Sequence, residues 1–290
     1  MDHIMSGMPV AEAILAEAAA GAEKLKAQGI TPKLAVLRVG ESPEDLRYER
    51  SLLKKGGGIG LEVDVNVLPA DCSADDIRAA LWRLDEDQRV HGILMFRPLP
   101  AGIDEEAICR EINPEKDVDG ATEGSLAGVF TQKQHGFSPC VARAVMEMLD
   151  YHGVDLDGKK VTLLGRSLVV GKPLAMMLLT KNATLTIAHD RTKDLAEEAR
   201  RADILISCMG QARLVKKNFV HKDQLVIDAG VSLDPASGEL SGDIDLDEVE
   251  PIAASLTPMR GGVGVVTTAV LLAQVVEAAF RRNRKPSWSD

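Results

Sequence analysis

Two glycines frame the stretch of this chain best suited to holding a phosphate. Gly165-Arg166-Ser167 follows the apolar run Val161 to Leu164, and Gly171-Lys172-Pro173 opens an apolar helical pattern from Leu174 to Leu179. Strand, tight turn and helix in that order bring a bare backbone close to a ligand. The helix dipole adds positive potential at the same place. Thr184 to Ala188 reads as the next strand, and it runs into His189-Asp190, nineteen positions after Gly171. A dinucleotide-binding unit places there the carboxylate that holds the adenine ribose. The match is partial, since Ser167 stands for the middle glycine and the loop is one residue longer. A plain turn in another parallel sheet gives the same local pattern.

The elements that must position these residues alternate along the chain. Helical spacing from Val10 to Gln28 is followed by a strand at Leu34–Val39 and a helix closed by Gly56-Gly57-Gly58. A strand at Leu61–Leu68, a helix opened by Ser73 and a strand at Gly92–Phe96 come next. A helix from Asp104 to Ile112 and a turn at Lys116–Gly120 complete this half, and a helix after Pro139 leads into a second series. There, strands at Ile204–Ser207 and Leu225–Asp228 precede a last apolar helix, Gly264–Phe280. Strands alternating with helices imply a mostly parallel α/β sheet, here built twice.

Composition narrows the function classes. The 290 residues carry 34 basic against 44 acidic side chains, a net charge of −10, which argues against a general nucleic-acid binder. Cys72, Cys109, Cys140 and Cys208 show no metal-ligand or disulfide spacing and suit a reducing compartment. No metal site is expected. The segment Met1–Pro9 lacks the pattern of a secretory signal, and no membrane span is expected. The basic tail Arg281-Arg282-Asn283-Arg284-Lys285 reads as a solvated terminus.

Several short stretches, taken in order, carry more than any one of them. They are Val39-Gly40-Glu41-Ser42-Pro43 ahead of Tyr48; Gly92-Ile93-Leu94 leading to Pro98-Leu99-Pro100; Asn113 to Gly120; the turn from Gly165 to Pro173; and Thr257 to Gly264. In this order and spacing the chain resembles the methylenetetrahydrofolate dehydrogenase/cyclohydrolase family over nearly its whole length.

That resemblance implies two α/β domains. Residues 1–138 and 266–290 would form a folate-binding catalytic domain, with the C-terminal helix returning to it. Residues 139–265 would form a Rossmann-type parallel-sheet domain for NAD or NADP. It implies a homodimer, expected in the cytoplasm, acting on a tetrahydrofolate one-carbon substrate. Tyr48 matches the family's active-site tyrosine, and Asp119 its pterin-binding aspartate. A carboxylate suits the pterin's amino and ring N–H edge. Gly261, Gly262 and Gly264 match the glycine loop near folate and nicotinamide. Gly165, Arg166, Ser167 and Gly171 match the cofactor turn. Asp190 favours the ribose hydroxyl of NAD, whereas Arg166 and Arg191 could pair with the extra phosphate of NADP; the expectation leans to NAD.

The departures are equally specific. The family lysine, one turn after the tyrosine, falls on Leu52, and the family glutamine falls on Phe96. Ala121-Thr122-Glu123 replaces an aromatic–histidine pair, Val141 and Ala142 a threonine–proline pair, and Arg260 and Val265 two prolines. Leucine and phenylalanine have no group to activate water. Lys55 shares the Tyr48 face two turns on, but Lys54 and Lys55 read as a solvated pair near a helix end. Hydride transfer chiefly needs alignment. The expected activity is therefore oxidation of 5,10-methylenetetrahydrofolate to the 5,10-methenyl form, with hydrolysis of that product weak or absent. Two other readings are a dehydrogenase of a different substrate and a non-catalytic folate- or nucleotide-binding relative.

Overall fold

The computed structural model describes residues 3–283; the end of the basic tail, Arg284 and Lys285, lies outside the described residues. In chain order the elements are α1 (Met8–Lys26), β1 (Lys33–Val39), α2 (Pro43–Gly58), β2 (Glu62–Leu68), α3 (Ala74–Glu86), β3 (Gly92–Met95), α4 (Glu105–Cys109), α5 (Glu123–Thr131) and α6 (Cys140–Tyr151). They continue with β4 (Lys160–Leu164), α7 (Gly171–Thr180), β5 (Thr184–Ala188), α8 (Leu195–Arg200), β6 (Ile204–Ser207), β7 (Leu225–Asp228), β8 (Ser232–Leu233), β9 (Leu240–Ser241), α9 (Leu246–Val249), β10 (Ser255–Leu256) and α10 (Val263–Asn283).

The chain divides into two compact units. The first holds residues 13–138 and the chain from Thr268 onward; the second holds the chain up to Glu12 and residues 139–267. The C-terminal helix thus returns to the first unit from Thr268. The expected division differs at the N-terminus, where residues 1–12 were placed with the first domain. The reason is backbone pairing: Met5 N–H donates to Leu256 O at 2.8 Å, and Gly7 N–H to Gly261 O at 2.7 Å. Ile4 forms a parallel bridge to Leu256, which carries this segment onto the edge of the second unit's sheet.

The first unit is built on a parallel sheet ordered β2-β1-β3. Central β1 is buried along Lys33–Arg38, as a strand covered on both faces should be. Alternation then sorts its side chains. Ala35 and Leu37 of β1 and Ile93 and Met95 of β3 share one core with Ile77, Ala80, Leu81 and Leu84, the apolar stripe of α3. A capping box between Ser73 and Asp76 starts that stripe. On the opposite face Gly92 has room for no side chain, since a Cβ there would stand 2.7 Å from Val118 and 3.2 Å from Val275 of α10.

One expectation fails here for an identifiable reason. The glycines at 56–58 do not close α2; the helix runs through them to Gly58. Gly56 serves packing instead, because a Cβ there would lie 2.6 Å from Val63 of β2. Among the described residues one helix, α10, with its 21 residues, is long and apolar enough to cross a membrane. Its most apolar stretch is 67% buried within the protein, as in a helix that serves as core.

His91 joins the start of β1 to β3, its Nδ1 accepting from Lys33 N–H at 3.2 Å. Burial, with help from the Arg282 and Lys116 charges, pushes its pKa down to about 4. The unfolded imidazole titrates near 6.5, so acid favours the unfolded chain. The contribution is whole above pH 6.5 and is lost as pH falls towards 4, by about 3 kcal/mol. His91→Gln should remove this dependence. The check is the difference in urea-unfolding free energy between wild type and variant from pH 4 to 7, in which all other titrations cancel. A difference that does not vary with pH would refute it.

The second unit carries a five-stranded parallel sheet ordered β10-β7-β6-β4-β5. The chain leaves β4 for β5 on one side and returns to β6 on the other, so the strand order reverses at β4. Open α/β sheets bind ligands at the carboxyl ends of the strands beside such a reversal. A short antiparallel pair, β8 and β9, follows.

Candidate active site

Gly165 ends β4 at the reversal. Its N–H donates to Ala188 O at 2.8 Å, linking the turn to the end of β5. A φ of 119° and a Cβ position only 2.6 Å from Cys208 O and Sγ admit glycine there. Gly171 is tighter against the turn itself: its Cβ would stand 2.5 Å from Gly165 O and 2.9 Å from Arg166 Cα. Ser167 organises the loop between them, its Oγ accepting from the N–H groups of Val170 at 3.1 Å and Gly171 at 3.4 Å. Lys172 N–H donates to Ser167 O at 2.9 Å.

The first N–H groups of α7 are therefore engaged by Ser167, not open as expected from the helix alone. Among the described residues, it is the N–H groups of Arg166, Ser167, Leu168 and Val169 that have no partner within the chain. Successive free N–H groups on an exposed turn suit an anion, and the close-packed glycine pair leaves no side chain in the way. The turn fits the pyrophosphate of a dinucleotide.

Asp190 lies just past β5, half exposed, between two cations. Arg166 Nη2 approaches its Oδ1 at 3.2 Å, and Arg191 Nε its Oδ2 at 3.5 Å. The carboxylate and both arginines expected at the ribose thus form one cluster. Cys208, at the end of β6, is no nucleophile, since burial pushes its thiol up to about 12.

Two aspartates that sequence reading missed brace the carboxyl ends of β6 and β7. Asp243 Oδ2 accepts from Ser207 Oγ at 2.7 Å and Met209 N–H at 2.6 Å, and its Oδ1 from Gln211 N–H at 2.8 Å. Asp228 accepts from the N–H groups of Gly230, Asp243 and Ile244 at 3.0–3.1 Å. Burial nevertheless raises its carboxyl to about 6. Gly230 and Gly242 have no room for a Cβ because these carboxylates fill the space, which is the only trace they leave in the sequence.

Gly261 and Gly262 form the turn before α10, within the second unit. Gly261 has φ 75°, and a Cβ on Gly262 would meet Pro258 O at 2.1 Å. Gly264 lies in the first turn of α10 with open space around its missing Cβ.

In the first unit Tyr48 stands on α2, whose start is set by Ser42, capping Asp45 N–H at 3.1 Å, and by Pro43. Buried Arg38 fixes this helix to β1 through Glu49 at 2.7 Å, and it also donates to Gly40 O. The Tyr48 ring leans on Phe96 at 5.6 Å between centroids, tilted by 33°. Leu52, one turn after Tyr48, is fully buried, and Phe96 is 6% exposed. Lys54 is exposed as expected, but Lys55 is half-buried and burial holds its ammonium below the usual range.

Asp119 sits in a turn tied down from three sides. Ile93 N–H of β3 donates to Lys116 O at 2.7 Å, and Gln274 Nε2 of α10 donates to Val118 O at 2.7 Å. Buried Asp117 accepts from Ala121 N–H, Thr122 N–H and Ser125 Oγ at 2.6–3.0 Å. Asp117 and Gln274 were missed in the sequence, as was Arg97. The Arg97 guanidinium donates through Nη2 to Asp119 Oδ2 at 2.9 Å. Tyr48, Phe96, Arg97 and Asp119 all belong to the first unit, whereas the glycine turn, Asp190, Arg166, Arg191 and the 261–264 loop belong to the second.

Comparison with known proteins matches both units. Residues 139–283 match the family model of the tetrahydrofolate dehydrogenase/cyclohydrolase NAD(P)-binding domain, and residues 5–119 match that of its catalytic domain. The bifunctional protein FolD of Carboxydothermus hydrogenoformans is 46% identical over 279 residues, covering 96% of this chain and 97% of that protein. The crystal structure of the bifunctional FolD methylenetetrahydrofolate dehydrogenase/cyclohydrolase from Campylobacter jejuni superposes with a TM-score of 0.92 at 34% identity, covering 96% and 99% of the two chains. The Trypanosoma brucei enzyme, complexed with NADP cofactor and inhibitor, gives a TM-score of 0.90 at 32% identity, covering 97% and 98%.

Proposed function

As the chain belongs to the tetrahydrofolate dehydrogenase/cyclohydrolase family, we propose that it oxidises 5,10-methylenetetrahydrofolate to 5,10-methenyltetrahydrofolate with little or no hydrolysis of the product. The observation that carries this reading is the state of α2. Tyr48 is kept and partly exposed, while Leu52 at the family lysine's place is wholly buried and apolar. The bridge carbon loses a hydride, and a neighbouring nitrogen lone pair forms the new C=N bond, so the product is a cation and no proton is released. The nicotinamide, when bound, accepts that hydride. In this reading Tyr48 and Asp119 hold and orient the pterin, and the turn from Gly165 to Gly171 holds the dinucleotide. Appearance of reduced-nicotinamide absorbance with 5,10-methylenetetrahydrofolate tests it. No turnover with either cofactor would reject it, and folate binding without turnover would select the non-catalytic reading.

NAD is the preferred cofactor in this proposal. Asp190 would accept from the ribose hydroxyl and repel a phosphate, and it already occupies Arg166 and Arg191. Wild type should show kcat/KM for NAD at least about tenfold above that for NADP, the worth of one hydrogen bond to a charged group. Asp190→Ser should free both arginines and narrow or reverse the ratio. A wild-type preference for NADP would end this assignment. The same family reading makes the protein a cytoplasmic homodimer, which light scattering and cell fractionation can check.

A further inference from the structure

Arg97 changes what Asp119 can read. A lone carboxylate presents only acceptors, and a pterin offers it two donors, the 2-amino group and the N3–H. Here a guanidinium lies beside the carboxylate, with Arg97 Nη2 donating to Asp119 Oδ2 at 2.9 Å. Both side chains are mostly buried but about a quarter exposed, 24% and 28%, so part of the pair stays open to a ligand. Burial opposes the Arg97 charge, but Asp119 leads the groups that sustain it, with Glu105 also contributing. Glu105 is otherwise engaged, its Oε2 accepting from Leu99 N–H at 2.9 Å. One contact to Asp119 leaves most of the five guanidinium N–H groups for a ligand.

Side by side, the two groups present acceptors and then donors along one edge. The corresponding edge of a 4-oxopterin runs 2-amino, N3–H, 4-oxo: two donors and then an acceptor. With the N3–H on the Asp119 oxygen nearer Arg97, the 4-oxo group falls opposite the guanidinium. We propose that Arg97 is a specificity-determining residue that donates to the 4-oxo group of the pterin while Asp119 takes its N–H edge. The proposal rests on the folate reading above. It also adds to it, because it makes this pocket discriminate at the 4-position. A 4-amino group there would set donor against donor, and because N3 then carries no hydrogen it would also set acceptor against acceptor at Asp119.

The test measures binding of folate and of its 4-amino-4-deoxy analogue, aminopterin, by calorimetry to the full chain with NAD present. Wild type should bind folate at least about tenfold more tightly, the worth of a charge-assisted hydrogen bond. Arg97→Leu should cut that preference at least about tenfold by weakening folate, leaving only the part that comes from the N3–H at Asp119, with NAD affinity unchanged as the check on folding. Arg97→Lys, which keeps a donor, should restore part of it. Equal preference in wild type and Arg97→Leu, or a wild-type preference for aminopterin, would overturn the proposal while methylenetetrahydrofolate oxidation in the same sample leaves the parent reading standing. If wild type neither turns over methylenetetrahydrofolate nor binds either pterin, the parent reading fails as well.

Discussion

With this protein present, 5,10-methenyltetrahydrofolate should lose its absorbance at the spontaneous rate, while 5,10-methylenetetrahydrofolate is oxidised readily. Hydration of the methenyl cation needs a positioned proton acceptor, a contribution of about 10²–10⁴-fold. Leu52 offers none and is fully buried, and Phe96 spends its ring against Tyr48 at 5.6 Å. Lys55 is the nearest amine on that face of α2, but it lies two helical turns from Tyr48. The oxidation loses none of its stated requirements, because it depends on alignment. Enzymatic hydrolysis should be at least about 100-fold slower than in a relative that keeps the proton acceptor. A clear enzymatic excess over the spontaneous rate would refute the separation of activities.

Burial of Leu52 also sets the terms of any rescue. A lysine introduced there would lose its hydration, and its pKa would fall by up to about 3–5 units. Leu52→Lys with Phe96→Gln should therefore lower the thermal midpoint before it restores hydrolysis. Phe96→Gln alone should restore nothing, since an amide without an amine has nothing to orient. Hydrolysis by the single variant above the spontaneous rate would place the missing group at 96 rather than 52.

The division of the chain into two parallel α/β series was legible because βα alternation is a repeated signal. The strands at Thr184–Ala188, Ile204–Ser207 and Leu225–Asp228 are observed with the expected bounds. Elements too short for periodicity were not legible: β10 is two residues, and its pairing with β7 makes it a strand. The helix α5 went unseen because it is only nine residues long and carries two glycines, and its start is set locally by Thr122, which buried Asp117 holds from five positions back. The same limit explains Arg97. On the sequence it is one charge before Pro98. Only the fold carries it across twenty-two positions to Asp119. Departures at Leu52 and Phe96 could be seen against the family motif, but their burial could not.

The second large effect is expected at Gly171. A Cβ there would lie 2.5 Å from Gly165 O, 2.8 Å from Gly165 C and 2.9 Å from Arg166 Cα. All three are backbone atoms, so no side chain can turn aside to make room, and the turn itself must move. That turn carries the free N–H groups of Arg166 to Val169, which have to converge on one phosphate to be of use. Gly171→Ala should weaken NAD(P) binding by at least about 100-fold, equivalent to losing two hydrogen bonds to a charged group. Folate binding should persist, because Tyr48, Arg97 and Asp119 belong to the other unit. Gly57→Ala makes the control: its Cβ would meet nothing within 4 Å, and alanine is the better helix former by about 1 kcal/mol. Calorimetric titration of each variant with NAD and with folate separates the effects. Undiminished NAD affinity in Gly171→Ala would mean that the cofactor does not sit on this turn.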